Sequence, residues 1–257
     1  MQTKKQKNSI KYGDLFSLGR HRLIAGDARD PEIIKRLVGK DKIKSVNCDP
    51  PYGVAIVESK SSFNQKISCP RPIINDHFQS EDEYKEFTKE WLENIKPYLD
   101  RKNSIYIFNS DKMIFSLREA MIDSGFKFAQ LLIWIKNHAV LGRMDYLPQH
   151  ELIAYGWYGR HKFRKSQDRS VIFYPKPNRS PLHPTMKPIG LLRRLILNST
   201  EINDIIYDPF AGSGSLLIAS EQTRRKCLLV EIDLEYCRTI INRFEKITNI
   251  KARKIQL

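Results

Sequence analysis

The chain has 257 residues, enough for one sizeable core with little left for a second domain. Lys and Arg number 44 against 29 Asp and Glu, a formal charge of +15 that favours a polyanionic partner through counterion release. No window is long and apolar enough for a membrane span, the basic N-terminus lacks the apolar stretch of a secretion signal, and Cys48, Cys69, Cys227 and Cys237 lack metal-ligand spacing, so a reduced, cytoplasmic protein is expected.

In chain order, His21 to Asp27 reads as a short strand ending in a polar turn, and 31–38 as a short helix. Lys42 to Asp49 is a second strand, running into Asp49-Pro50-Pro51-Tyr52. Residues 53–79 hold no sustained period and are expected to form a mobile loop over the site. Ser80 with Glu83 three residues on is a capping-box pattern, so a helix follows to Leu99. A strand over 104–109, a helix over 111–124 closed by Gly125, and strands over 126–136 and 151–155 come next. Residues 156–182, basic, aromatic and proline-rich, read as an insertion. A helix over 188–199, a strand over 204–208, a glycine turn, a helix over 215–223, a strand over 226–231 and a last helix over 235–247 complete the chain. The run Lys251 to Lys254 reads as a solvated tail. Strands alternating with helices predict one α/β domain over 1–257 with a doubly wound, mostly parallel sheet.

Two motifs carry chemistry. Asp208-Pro209-Phe210-Ala211-Gly212-Ser213-Gly214 joins an apolar strand to a helix, and such glycines let backbone approach a ligand closely. Glu231 stands 17 residues after Gly214, at the end of the next strand, where an acid can accept from two ribose hydroxyls. The turn lacks the third glycine of a dinucleotide loop and the Lys of a phosphate loop, so a nucleoside without pyrophosphate, such as S-adenosylmethionine, fits it best. The second motif, Asp49 to Tyr52, suits methylation of an exocyclic amine. The Asp49 carboxylate and the Pro50 carbonyl can accept from its two N–H bonds and draw the nitrogen toward tetrahedral geometry. Pro51 stiffens the turn and Tyr52 can stack on the base. A duplex base reaches such a pocket only when rotated out of the stack.

Together these blocks resemble the β-class of amino-methylating DNA methyltransferases over most of the chain. The resemblance implies a seven-stranded, Rossmann-like sheet in circularly permuted order, with the catalytic half before the cofactor half. It points Asp27, followed by Ala28, at the cofactor's adenine. Ile133 to Lys136 and Gln149 to Glu151 match further blocks. His183-Pro184-Thr185-Met186-Lys187-Pro188 is close to a family block, with Met186 where Gln is common, and leads into a helix whose N-terminus can hold the methionine carboxylate. His183, Thr185 and Lys187 are thus expected at the cofactor, as are Asp49, Asp208 to Gly214, Glu231 and Ile232.

The implied substrate is double-stranded DNA in a bacterial or phage-infected cell. The implied enzyme is similar to solitary phage or prophage methylases, with no obligatory nuclease partner and with homodimers known among relatives. Asp-Pro-Pro-Tyr implies N6-adenine; N4-cytosine, more often paired with Ser-Pro-Pro-Tyr, is the alternative, as is a non-catalytic DNA-binding subunit. Basic residues among aromatics suit phosphate contact and stacking, so Arg160, Lys162, Arg164, Lys165, Arg169 and Arg179 are expected at DNA.

Overall fold

The computed structural model describes residues 9–51, 80–139, 145–165, 167–176 and 186–256. Ten strands form one sheet among them: β1 (Leu15–Leu18), β2 (His21–Ala25), β3 (Ile43–Cys48), β4 (Leu99–Asn109), β5 (Phe126–Ile135), β6 (His150–Tyr158), β7 (Val171–Phe173), β8 (Ile205–Asp208), β9 (Lys226–Glu231) and β10 (Arg253–Ile255). Their order is β10-β1-β2-β9-β8-β3-β4-β6-β5-β7. The seven from β2 to β5 in that order form the expected sheet, parallel except for β6. At one margin β1 and β10 add an antiparallel pair; at the other β7 adds a parallel strand on β5.

Among the described residues six α-helices cover the sheet: α1 (Pro31–Val38), α2 (Glu81–Ile95), α3 (Ile114–Asp123), α4 (Ile189–Ser199), α5 (Ser215–Gln222) and α6 (Leu234–Thr248). The period-two alternation of the strands decides their sides. Ile105 and Ile107 of β4 and Tyr207 of β8 point into a core with Ile34 and Leu37 of α1, Trp91 of α2 and Leu117 of α3. Tyr106, Phe108 and Ile206 point the other way, onto Leu195 of α4, Leu217 of α5 and Phe244 of α6. Being buried on both faces, β8 and β9 read as nearly continuous apolar runs, whereas β3 buries Ser45 and Asn47 among its apolar residues.

Helix ends follow local chemistry. Asp30 caps α1 by accepting from the Glu32 N–H, ahead of Pro31 at the first helical position. Ser80 and Glu83 close the expected capping box on α2. Asp233 accepts from the Glu235 and Tyr236 N–H groups to start α6.

Two expectations need correction. The C-terminal run is not a solvated tail: Arg253–Ile255 pairs with Leu15–Ser17, and Lys254 bridges to Asp14 at 2.6 Å. The insertion begins later than residue 156, because β6 runs on to Tyr158 and carries Gly156 and Trp157 against β5. The loop expected over 53–79 lies outside the described residues. Among the described residues no helix is long and apolar enough to cross a membrane, and no His, Cys, Asp and Glu cluster could hold a metal.

Candidate active site

The parallel strands deliver their carboxyl ends to one side of the molecule. Ala25 of β2 is level with Glu231 of β9, Asp208 of β8 with Leu229, and Cys48 of β3 with Ile107 of β4. Because β3 pairs directly with β8, Val46 beside Tyr207, the turns starting at Asp49 and Phe210 leave the sheet as neighbours. The two motifs expected to meet are therefore adjacent.

The glycine turn is built by its own strain and by Glu231. Gly212 and Gly214 hold φ of 51° and 74°, where a side chain is disfavoured. A Cβ on Gly214 would come within 3.2 Å of Ile240 on α6. The Gly212 N–H donates to Glu231 Oε2 at 2.6 Å, and the Asp233 N–H to Oε1 at 2.9 Å. Arg243 braces the other side, donating to the Ser213 carbonyl at 2.8 Å. Ala211 is buried, and Phe210 turns its ring into α2, between Phe87 and Trp91. Ile232 follows Glu231, half-buried at the mouth of the turn. Asp208, which ends β8, accepts from the Phe210 N–H at 3.1 Å.

Burial dominates the electrostatics here. It pushes the Asp208 carboxyl up to about 8, with the charges of Glu231 and Asp49 adding to it and the Phe210 hydrogen bond opposing. Burial likewise raises Glu231 to about 7 against the N–H groups of Asp233 and Gly212. A carboxylate has about four acceptor directions, so Glu231 retains capacity for a ligand's hydroxyls. Asp27 follows β2 on the same side with Ala28 buried behind it, and its carboxylate is closed on Arg29, whose Nη2 donates at 2.7 Å. Narrow glycine backbone, a buried acid with spare acceptors and a second acid at the neighbouring strand end form a donor and acceptor set that fits a nucleoside.

The Asp49 turn is held from the opposite face. Lys187, just before α4, donates to Asp49 Oδ2 at 2.5 Å and lies 3.1 Å from Glu151 Oε2. Lys136, at the end of β5, lies 2.8 Å from Glu151 Oε1. Lys187, expected at the cofactor, places its ammonium on the Asp49 carboxylate. Glu151 and Lys136 were visible in sequence only as blocks, and their signal was a charged residue at the end of an apolar strand. Cys48 beside the turn is buried, and burial raises its thiol well above the ordinary range, so it stays neutral. Pro50 and Pro51 follow Asp49; Tyr52, His183 and Thr185 lie outside the described residues.

The first part of the basic segment lies away from the two motif turns. β6 runs antiparallel to β4, so the chain beyond Tyr158 emerges at the amino end of the parallel strands. The Arg160 carbonyl accepts from the Asn103 N–H at 3.1 Å. That point is roughly 20 Å from Asn109 at the carboxyl end, at ~3.3 Å per residue. Arg164 pairs with Glu201 on the same side, with Lys162 4.0 Å from the same carboxylate. Arg160, Lys162 and Arg164, expected at DNA, thus lie at the amino end of the parallel strands, and Lys165 continues directly from Arg164. Asp168 ties the segment to α4 through Arg194 Nε at 3.0 Å and Asn198 at 2.6 Å, which holds its carboxyl well below the usual range. Arg169 is exposed beside it; Arg179 lies outside the described residues.

A family model described as DNA methylase, of the N6/N4 type, matches residues 43–243, which includes both motif turns. This chain belongs to the N6/N4 DNA methylase family. Curated relatives include the Type II methyltransferase M.HpaI of Haemophilus parainfluenzae, 29% identical over 77% of this chain and 66% of that protein. Another is the Type II methyltransferase M2.MboI of Moraxella bovis, 25% identical over 82% and 83%. Among solved structures, an M1.HpyAVI–SAM complex aligns with a TM-score of 0.65 at 23% identity, covering 86% of this chain and 97% of that one. PvuII DNA methyltransferase, described as cytosine-N4-specific, aligns at 0.69 and 17%, covering 88% and 89%. These structural likenesses establish the shared methyltransferase fold.

Proposed function

We propose that this DNA methylase transfers a methyl group from S-adenosylmethionine to the N6 amino group of an adenine rotated out of double-stranded DNA. The observation that carries the reading is the adjacency of the Asp49 turn and the Gly212–Gly214 turn at the ends of paired strands β3 and β8. Family membership and the relatives' names support methyl transfer, and the Asp-Pro-Pro-Tyr form of the catalytic motif supports adenine.

Bound S-adenosylmethionine supplies an electrophilic methyl group on its sulfonium. Glu231 accepts from the ribose hydroxyls, the Gly212 to Gly214 backbone lies close to the nucleoside, and Asp27 with Ala28 borders the adenine. The amino nitrogen of the target base is a poor nucleophile, because its lone pair is delocalised into the ring. The Asp49 carboxylate and the Pro50 carbonyl each accept one N–H, which pulls the nitrogen out of conjugation and aims its lone pair. Lys187 keeps the carboxylate in place while this happens. Catalysis is then orientation and electrostatics, with no covalent intermediate on the protein. Rotating the base out costs a few kcal/mol, and stacking on Tyr52 returns part of it. All these groups come from one chain, so the methylation step needs no nuclease subunit. The setting is the cytoplasm of a bacterial cell, at DNA.

Asp49→Ala tests the reading. Removing one preorganised partner of the transition state costs ~10²–10³ in kcat. The variant should lose methylation of unmethylated plasmid DNA by at least that factor while its cofactor binding remains measurable in calorimetry. Parental turnover would refute the role of Asp49. Sequencing of the modified DNA reports the base, and methyl groups on cytosine N4 would overturn the adenine assignment.

A further inference from the structure

Four charged side chains beneath the Asp49 turn form a row of alternating sign, its lysines buried and its carboxylates partly buried: Asp49, Lys187, Glu151 and Lys136, with successive contacts of 2.5, 3.1 and 2.8 Å. Lys187 and Lys136 are 7% and 6% exposed, so water screens the row little. Aromatic rings close its flanks, Phe108 at 5.1 Å from Lys187 Nζ and Trp134 at 5.5 Å from Lys136 Nζ. The four residues come from four separate segments, the ends of β3 and β5, the start of β6 and the approach to α4. A cation just ahead of a helix N-terminus is disfavoured by the helix dipole, and a buried ammonium costs several kcal/mol of lost hydration. Lys187 is nonetheless held charged: burial pulls it down, but Asp49 and Glu151 together outweigh burial.

We propose that Glu151 and Lys136 are positioning residues for methyl transfer, holding Lys187 against one oxygen of Asp49 so that the other oxygen faces the target amine. The inference rests on the role of Asp49 given above. An ammonium has three donors. Bound to Asp49 alone, the Lys187 head group could swing with the carboxylate it is meant to fix. Glu151 occupies a second donor and pins it. Lys136 neutralises Glu151, which would otherwise compete with Asp49 for the one shared cation. Burial would raise Glu151, but Lys187 and Lys136 bring it down to about 2, so it remains charged throughout the working range. The row as a whole is neutral.

That balance gives a test with a distinctive signature. Glu151→Gln leaves two ammoniums for one carboxylate, and Lys136→Met leaves two carboxylates for one ammonium. The double variant is neutral again. Among the described residues the groups near Asp49 include Lys187, Asp208, Cys48 and Tyr84; Cys48 and Tyr84 are buried and uncharged, and Asp208 is common to every variant, so it does not separate their profiles. The acid limb of the kcat–pH profile should therefore follow the row, moving up in Lys136→Met and down in Glu151→Gln.

The experiment measures kcat, KM for plasmid DNA and the pH profile in the full-length protein and in the three variants, with Asp49→Ala alongside. Each single variant is expected to lose ~10- to 100-fold in kcat, as misplaced groups do, with KM for DNA nearly unchanged. The double variant is expected to recover most of that loss and the parental acid limb, with every variant assayed well below its melting temperature so that the non-additivity in kcat is read apart from that in stability. Parental kcat and profile in both single variants, or losses that simply multiply in the double, would overturn the positioning role. If a single variant melts too early to assay, the double variant decides alone by reaching or missing parental kcat. A dead Asp49→Ala with fully active Glu151→Gln removes only the positioning role, whereas an active Asp49→Ala removes the reading it rests on.

Discussion

Glu231 shows how much one buried side chain is asked to do. Its two oxygens take N–H groups from Gly212 and Asp233, so the same carboxylate shapes the glycine turn and, in the function proposed above, faces the nucleoside. Its pKa of about 7, raised by burial from an ordinary 4.5, carries a sign. A raised acid contributes stability that is present below about pH 4.5 and lost as pH rises through about 7. Thermal melts of the ligand-free protein should fall across that window, and Glu231→Gln should flatten the fall. The same substitution should weaken cofactor binding by ~10- to 100-fold, the worth of a hydrogen bond to a charged group. An unchanged pH slope together with unchanged affinity would separate Glu231 from both tasks. Both motif turns could be read from sequence at this scale, because Asp49 to Pro51 and Asp208 to Gly214 are short, contiguous and chemically distinctive. The Lys136–Glu151–Lys187 row could not, because its members touch only when distant segments converge.

Elements were legible in proportion to their length and apolarity. The helices over 31–38 and 189–199 and the strand over 226–231 match their sequence patterns within a residue or so, since buried faces and caps leave strong local marks. The three- and four-residue strands β1, β7 and β10 left almost none; β10 is mostly charged and is held by backbone pairing with β1. Strand direction was the costlier omission. The reversal of β6 sends the first part of the basic segment, Arg160 to Lys165, to the amino end of the sheet before β7 brings the chain back along β5, and no local pattern announces a reversal. Neutralising Arg160, Lys162 and Arg164 together should therefore leave kcat near the parent value and leave the salt dependence of DNA binding unchanged. Removing a single phosphate contact lowers the log–log slope by ~0.9, so a drop of two or more would return these residues to the interface.

Across the whole molecule, the permuted order puts the catalytic and cofactor halves on opposite stretches of chain and then interleaves them. Strands β2 and β9 pair, as do β3 and β8, so every contact between the halves is long-range. A fragment ending at residue 200 would keep β3 and β4 but would lose the strands that flank β3 and β2 on their inner sides. Such a fragment should show no cooperative melt, and a sharp transition in it would mean that the first half folds by itself. Within the intact sheet, the pairing of β3 with β8 also sets a clock. About 160 residues separate Val46 from Tyr207, and ribosomes add ~5–20 residues per second, so the catalytic strand waits roughly ten to thirty seconds for its neighbour. During that interval the nascent protein presents an open apolar strand margin to chaperones and proteases. The sheet of the methylase therefore closes in a single late event, once β8 and β9 have been made, and the two motif turns come together only then.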